Sequence, residues 1–96
     1  MNAHLARAHV LSEEETRTGW VYRVALKRGD DAREHHVRLA WVDHDHWSGG
    51  RAQPSHVVER LMELLAELEI EIPERFDAST ARRWHTDLDD RLIARL

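Results

Sequence analysis

No cysteine occurs anywhere in the 96 residues. That excludes disulfides, thiolate nucleophiles and cysteine-based zinc sites. No apolar run approaches the ~18 residues that span a bilayer, and Met1 to Val10 lack the apolar centre of a secretion signal. The expected location is therefore cytoplasmic, with no membrane contact. A basic surplus is missing too. The formal charge is −4 with histidines neutral, and a general nucleic-acid binder would carry a clear cationic excess. Nucleic acid is accordingly not an expected partner. Lysine occurs once among 14 basic residues, a bias that reads as genome base composition. Internal repeats and low-complexity stretches are absent as well.

Two stretches with different hydrophobic periods are present, in a chain of the size expected for a single domain over 1–96. The first half alternates. Trp20, Tyr22, Val24 and Leu26 interleave with Val21, Arg23, Ala25 and Lys27. Val37, Leu39 and Trp41 interleave with His36, Arg38, Ala40 and Val42. Both read as half-buried strands, joined through the turn-like Gly29 to Glu34. A hairpin placing Tyr22 opposite Trp41, Val24 opposite Leu39 and Leu26 opposite Val37 keeps the large apolar groups on one face. His4 to Leu11 reads as a weaker strand, with Ala6, Ala8 and Val10 inward against Trp20 and Tyr22. Ser12 to Gly19 forms its connection.

The second half has the helical period. Pro54 and Ser55 mark a helix start, with Ser55 as N-cap. Val57, Val58, Leu61, Met62, Leu64, Leu65 and Leu68 then fall within an arc of ~160°. His56, Glu59, Arg60, Glu63, Ala66 and Glu67 fill the remaining arc. Pro73 disfavours helix at Ile72. Asp77 caps a short helix over Ala78 to His85, and Thr86-Asp87-Leu88-Asp89 has the form of a capping box before a last short helix. The fold class is α+β: a three-stranded antiparallel sheet packed on one face by a long amphipathic helix, plus a short C-terminal helical pair.

Three features could carry chemistry. Asp43-His44-Asp45-His46 leaves the third strand. In an extended chain His44 and His46 project to one side, so with Asp43 they form the nucleus of a site for zinc or a similar metal. A full ligand set is lacking, and the plainer reading is a polar loop. Trp47, Gly49, Gly50 and Arg51 follow. There the glycines and the amides at the start of the long helix could hold an anion or a partner, although the P-loop pattern is absent. The plainer reading is a tight crossing with Trp47 packed. Finally, Arg23, Lys27, His36 and Arg38 fall on the outer face of the sheet, with Arg7 and His9 beside them. This makes a basic face on an acidic chain. Trp20, Tyr22 and Trp41 fall on the opposite face, so base stacking of the kind used by RNA-binding sheets is not expected. Of the tryptophans, Trp47 and Trp84 sit in the least regular segments, where an exposed anchor for a partner would stand.

Gly49-Gly50-Arg51, Pro54 opening an amphipathic helix, Ile72 before Arg75-Phe76-Asp77, and Arg83-Trp84 before an acidic stretch ending in Leu92 form a further pattern. In these residues the chain resembles a family of short bacterial proteins with no assigned function. The resemblance covers about residues 41–92. Similar sequences carry an aromatic-Pro pair where His85-Thr86 stand here. The resemblance implies a shared fold, and joint action of Gly49, Gly50, Arg51, Phe76 and Asp77 with Arg51 or Arg75 paired to Asp77. It implies no activity.

The leading functional expectation is a non-catalytic module that binds a protein partner or itself. One alternative is a metal-binding domain through the Asp-His-Asp-His segment. Another is a small RNA-directed nuclease using two of His36, His44, His46 and His85 as acid and base. No cofactor is expected other than a metal ion in the first alternative.

Overall fold

The computed structural model describes residues 5–96. Three long strands come first: β1 (Ala6–Glu15), β2 (Gly19–Arg28) and β3 (Asp31–Ala40). They are followed by helices α1 (Trp41–Ser48) and α2 (Pro54–Glu67), strand β4 (Arg75–Asp77), a 3-10 helix (Ala78–Arg83) and helix α3 (Leu88–Ile93). The mixed α+β class agrees with the hydrophobic periods. The sheet has four strands rather than three, in the order β1-β2-β3-β4, with β4 parallel to β3. The reason for the extra strand lies at Pro73, which keeps Ile72 extended. The chain beyond it runs along β3, where the His36 N–H donates to the Glu74 carbonyl at 2.8 Å.

The hairpin register differs from the expected one by four. Tyr22 lies opposite Val37 and Val24 opposite His35. The connection is only Gly29-Asp30, with Gly29 at φ +60, a conformation a two-residue hairpin turn requires. Asp31 to Glu34 therefore belong to β3. Because the shift is even, the expected strand residues that remain in the hairpin keep their faces, and Trp41 leaves the sheet. The first strand is longer than expected, reaching Glu15, and His4 lies outside the described residues. Ala6 and Ala8 are inward and buried as expected, but they lie opposite Arg28 and Leu26 rather than near Trp20 and Tyr22. The pairing shifts at Leu11, a bulge that turns Glu13 to the inner face. There Glu13 accepts the Tyr22 hydroxyl at 2.7 Å. Burial and the Glu13 carboxylate together push the Tyr22 phenol far above its ordinary range.

Helix α2 covers the inner face of the sheet. Tyr22, Val24, Val37, Leu39, Val57, Val58, Leu61, Met62, Leu64 and Leu65 have no exposed surface. The cap differs from expectation: Pro54 takes the first helical position and Gln53, not Ser55, precedes it. Proline suits that position because its missing N–H would be unpaired there anyway. Glu63 and Ala66, expected on the solvent arc, are buried, because α2 lies beside the free edge of β1. The Ala8 N–H donates to Glu63 at 2.9 Å and the Val10 N–H to Glu59 at 2.9 Å. Two carboxylates one turn apart thus satisfy backbone donors that an edge strand would leave open. Arg60 pairs with Glu63 at 2.7 Å.

At the C-terminal end Asp77 caps the 3-10 helix as expected, accepting the Ser79 N–H at 3.0 Å. The helix stops at Arg83 rather than His85. The Thr86 capping box does not form. Asp87 occupies the N-cap of α3 without a side-chain bond. Arg95 then clamps Glu67 with two bonds of 2.7 and 2.8 Å, tying the chain end to α2. Each partner favours the other's charged form, so the Glu67 carboxyl sits below its usual range and the Arg95 guanidinium above. Among the described residues no helix is long and apolar enough to cross a membrane.

Candidate functional site

Segment 41–48 departs furthest from expectation. Trp41 continues the alternation of Val37 and Leu39 in the sequence, yet the chain leaves the sheet at Ala40 and coils into α1. Gly49 closes that helix at φ +59, and its N–H donates to the Asp45 carbonyl at 2.7 Å. Coiling overturns the geometry on which the metal reading rested. Residues two apart project to one side of an extended chain, but to well-separated directions on a helix. His44 turns toward Trp20, edge to face with ring centroids 5.4 Å apart, and its Nε2 meets the Ala52 carbonyl at 2.7 Å. His46 points instead to Asp89, at 3.7 Å. Asp43 is buried and pairs with Arg82 at 2.8 Å. Among the described residues no group of three or more histidine or acidic side chains is placed to hold a metal ion.

What α1 builds is a polar cluster on one face, at positions 43, 46 and 47. Trp47 is buried, and its indole N–H donates to Asp89 at 2.7 Å. The Arg82 guanidinium lies 4.6 Å from the Trp47 ring centre and also reaches Asp89 at 3.0 Å. Burial pulls the Arg82 guanidinium down and the Asp89 carboxyl up, but their mutual contacts outweigh it in both. Arg82, with Asp43 as a further partner, stays above its usual value. Asp89, with Trp47 and His46 as further partners, lies below the carboxylate range. The cluster locks α1, the 3-10 helix and α3 together. Sequence reading missed Arg82 and Asp89. The spacing of Asp43 and Trp47, one helical turn apart before two glycines, was the signal available.

The Gly49-Gly50-Arg51 segment is a helix terminator. Gly50 has φ +79, and its N–H donates to the Ser48 hydroxyl, while the Arg51 N–H donates to the Ser48 carbonyl. These amides are committed within the turn, and Trp47, Gly49 and Arg51 line one groove with His46 and Ser48. The pairing implied by the family resemblance is also replaced. Asp77 is taken by the backbone and hydroxyl of Ser79, at 3.0 and 2.8 Å, and Arg51 is exposed in its turn. The tryptophan anchor falls elsewhere too. Trp47 is buried and Trp84 packs on Phe76, at 5.3 Å between ring centres. Trp41 is the exposed one, at 48%, beside Val42 at 72%.

Among the described residues the sheet's outer face carries no helix, and Arg23, Lys27 and Arg38 are exposed on it with His36 half-buried. The register adds Arg7 opposite Lys27, and Arg75 of β4 beside His36. Arg23, His36 and Arg75 therefore stand in one row across three strands. Glu34 answers Arg23 at 2.8 Å, and Glu14 and Asp77 mark the margins of the face. Beside the row lies a groove of about 300 Å³ lined by Val21, His36, Arg38, Arg75, Phe76 and Asp77. Arg75 was not identified from sequence, because β4 was not. The four histidines considered as acid and base are dispersed over separate contacts, His85 accepting the Asp87 N–H at 3.2 Å. No family model, curated protein or solved structure matches the chain.

Proposed function

We propose that this chain is a non-catalytic interaction module that binds a protein partner or a second copy of itself through the uncovered face of its sheet. The observation that carries the reading is that face: four strands wide, free of helices, and bearing exposed cations over small side chains. Val21, Ala25 and Ala40 form its floor, low enough for a partner to approach the sheet closely. Trp41 and Val42, exposed directly after Ala40, add apolar area of the type that anchors protein interfaces. The disposition of the reactive side chains supports the same reading. His44, Asp43 and Ser48 each bond to a neighbouring structural group, and His46 lies 3.7 Å from Asp89.

Substituting Ala25 by Tyr places a large ring at the centre of the floor without disturbing the core. Cross-linking in cells that express the chain, and light scattering of the purified protein, test the reading. A cross-linked protein or a dimer that disappears with Ala25→Tyr is the expected result. A wild-type chain that stays monomeric and cross-links to nothing, or contacts that survive the substitution, would overturn it.

A further inference from the structure

The pattern of charge on the uncovered face identifies the chemistry of its occupant. Cross-strand neighbours of like charge oppose strand pairing. Arg7 nevertheless stands opposite Lys27. Among the described residues Arg7, Lys27, Arg38 and Arg75 have no carboxylate within ion-pair distance. On the helix-covered side Arg60 and Arg95 each have one and Arg82 has two. The buried Nδ1 of His36 also lacks a hydrogen-bond partner. Among the described residues of a chain of net charge −4, this face thus groups four cations without an ion-pair partner, while Arg17, Arg51, Arg83 and Arg91 lack one at other places on the surface.

We infer, resting on the interaction-module reading, that this face takes an acidic segment of a partner protein, its carboxylates meeting Arg38 and Arg75. Guanidinium groups accept carboxylates in paired hydrogen bonds. The groove of about 300 Å³ between them has Val21 and Phe76 on its wall and Asp77, committed to Ser79, at its margin. Two observations favour protein over nucleic acid. Trp20 and Tyr22 point to the core, so neither offers its ring to a base on this face. The exposed apolar pair Trp41 and Val42 borders the face and suits a polypeptide rather than a phosphodiester chain.

The test uses a fluorescein-labelled oligo-glutamate peptide and an oligouridylate labelled in the same way, at low ionic strength. Wild-type protein should bind the peptide in preference. The variant Arg38→Glu/Arg75→Glu should lose at least about tenfold in affinity and gain binding to oligo-lysine, as reversed complementarity demands. A control variant, Arg51→Glu/Arg91→Glu, reverses exposed charges elsewhere and should bind as wild type does. A second pair, Arg7→Glu/Lys27→Glu, keeps the test decisive if the first variant fails to fold. Equal losses in the control, preference for oligouridylate, or no peptide binding would each overturn the inference. If the peptide fails to bind while Ala25→Tyr still abolishes cross-linking, the interaction module stands and only the acidic partner falls. If both fail, the module reading falls with it.

Discussion

The two faces of the sheet follow opposite rules. On the covered face the buried carboxylates and the Trp47 indole have partners, Glu63 with a β1 amide and Arg60, Asp43 with Arg82, Trp47 with Asp89, although the Nε atoms of Arg28 and Arg60 there have none. On the uncovered face cations stand beside cations, with few carboxylates to answer them. The first arrangement is what stability requires, since an unpaired buried polar group costs free energy. The second runs against stability and is the signature of a surface kept for something else. The contrast predicts that substitutions on the two faces differ in size and, at some positions, in sign.

Leu61 should show the largest effect. It is fully buried between α2 and the sheet. Leu61→Ala should cost about 2–5 kcal/mol in urea unfolding, the range for leucine truncation in a close-packed core. Arg38→Ala on the other face should stay within about 0.5 kcal/mol. Equal costs would break the contrast at its root.

Arg82 should come next. Its removal strands the Asp43 carboxylate in a buried position. Loss of one partner of a buried pair costs about 3–5 kcal/mol, and partial exposure of Arg82 lowers the expectation for Arg82→Ala to about 2 kcal/mol. The cluster also sets an acid dependence. The Asp89 carboxyl is held below its usual range, so its stabilising contribution is complete above the ordinary carboxylate pKa of about 4 and is lost as pH falls through the folded value. Asp89→Asn should therefore be less stable near neutrality and lose less on acidification. Parallel acid-limb slopes for variant and wild type would show that Asp89 does not contribute.

These two predictions differ in how far sequence could have led to them. The position of Leu61 was legible, because a long helix repeats its apolar positions often enough to be unambiguous. The basic face was legible for a similar reason: an even register shift leaves each strand residue on its expected side. Arg82 was not legible. Its role depends on α1, an eight-residue helix whose first residue, Trp41, also completes a strand pattern. Over so short a segment, Gly49 is the cue that a helix ends there, and the same glycines read equally well as a loop. The extended geometry assumed for His44 and His46 gave way at that point. The fourth strand, and Arg75 with it, was hidden because three residues are too few to display a period.

Glu63 sharpens the contrast at the sheet's edge rather than its face. Glu63→Ala leaves the Ala8 N–H buried without an acceptor, an expected loss of about 1–3 kcal/mol. Hydrogen exchange at the Ala8 amide reads this bond directly. Protection there should fall further than at the amides joining β1 to β2. Unchanged protection at Ala8 would mean that α2 closes the edge by contact alone and that the carboxylate is dispensable.

Lys27 should show the smallest effect, and the most informative in sign. It faces Arg7 across two strands, with no ion-pair partner among the described residues. Lys27→Glu converts a repulsive pair into an attractive one. It should raise stability by about 0.2–0.5 kcal/mol, within the range of cross-strand charge pairs. The gain should vanish at high salt, because exposed charges are screened over about 3 Å at 1 M ionic strength. A loss of stability that persists in high salt would mean that the lysine stem holds the sheet together and that its charge is incidental. A salt-sensitive gain would show that the chain forgoes stability to keep a cation there. Binding of an acidic partner supplies a reason for that, since the same substitution should weaken the complex while it strengthens the fold.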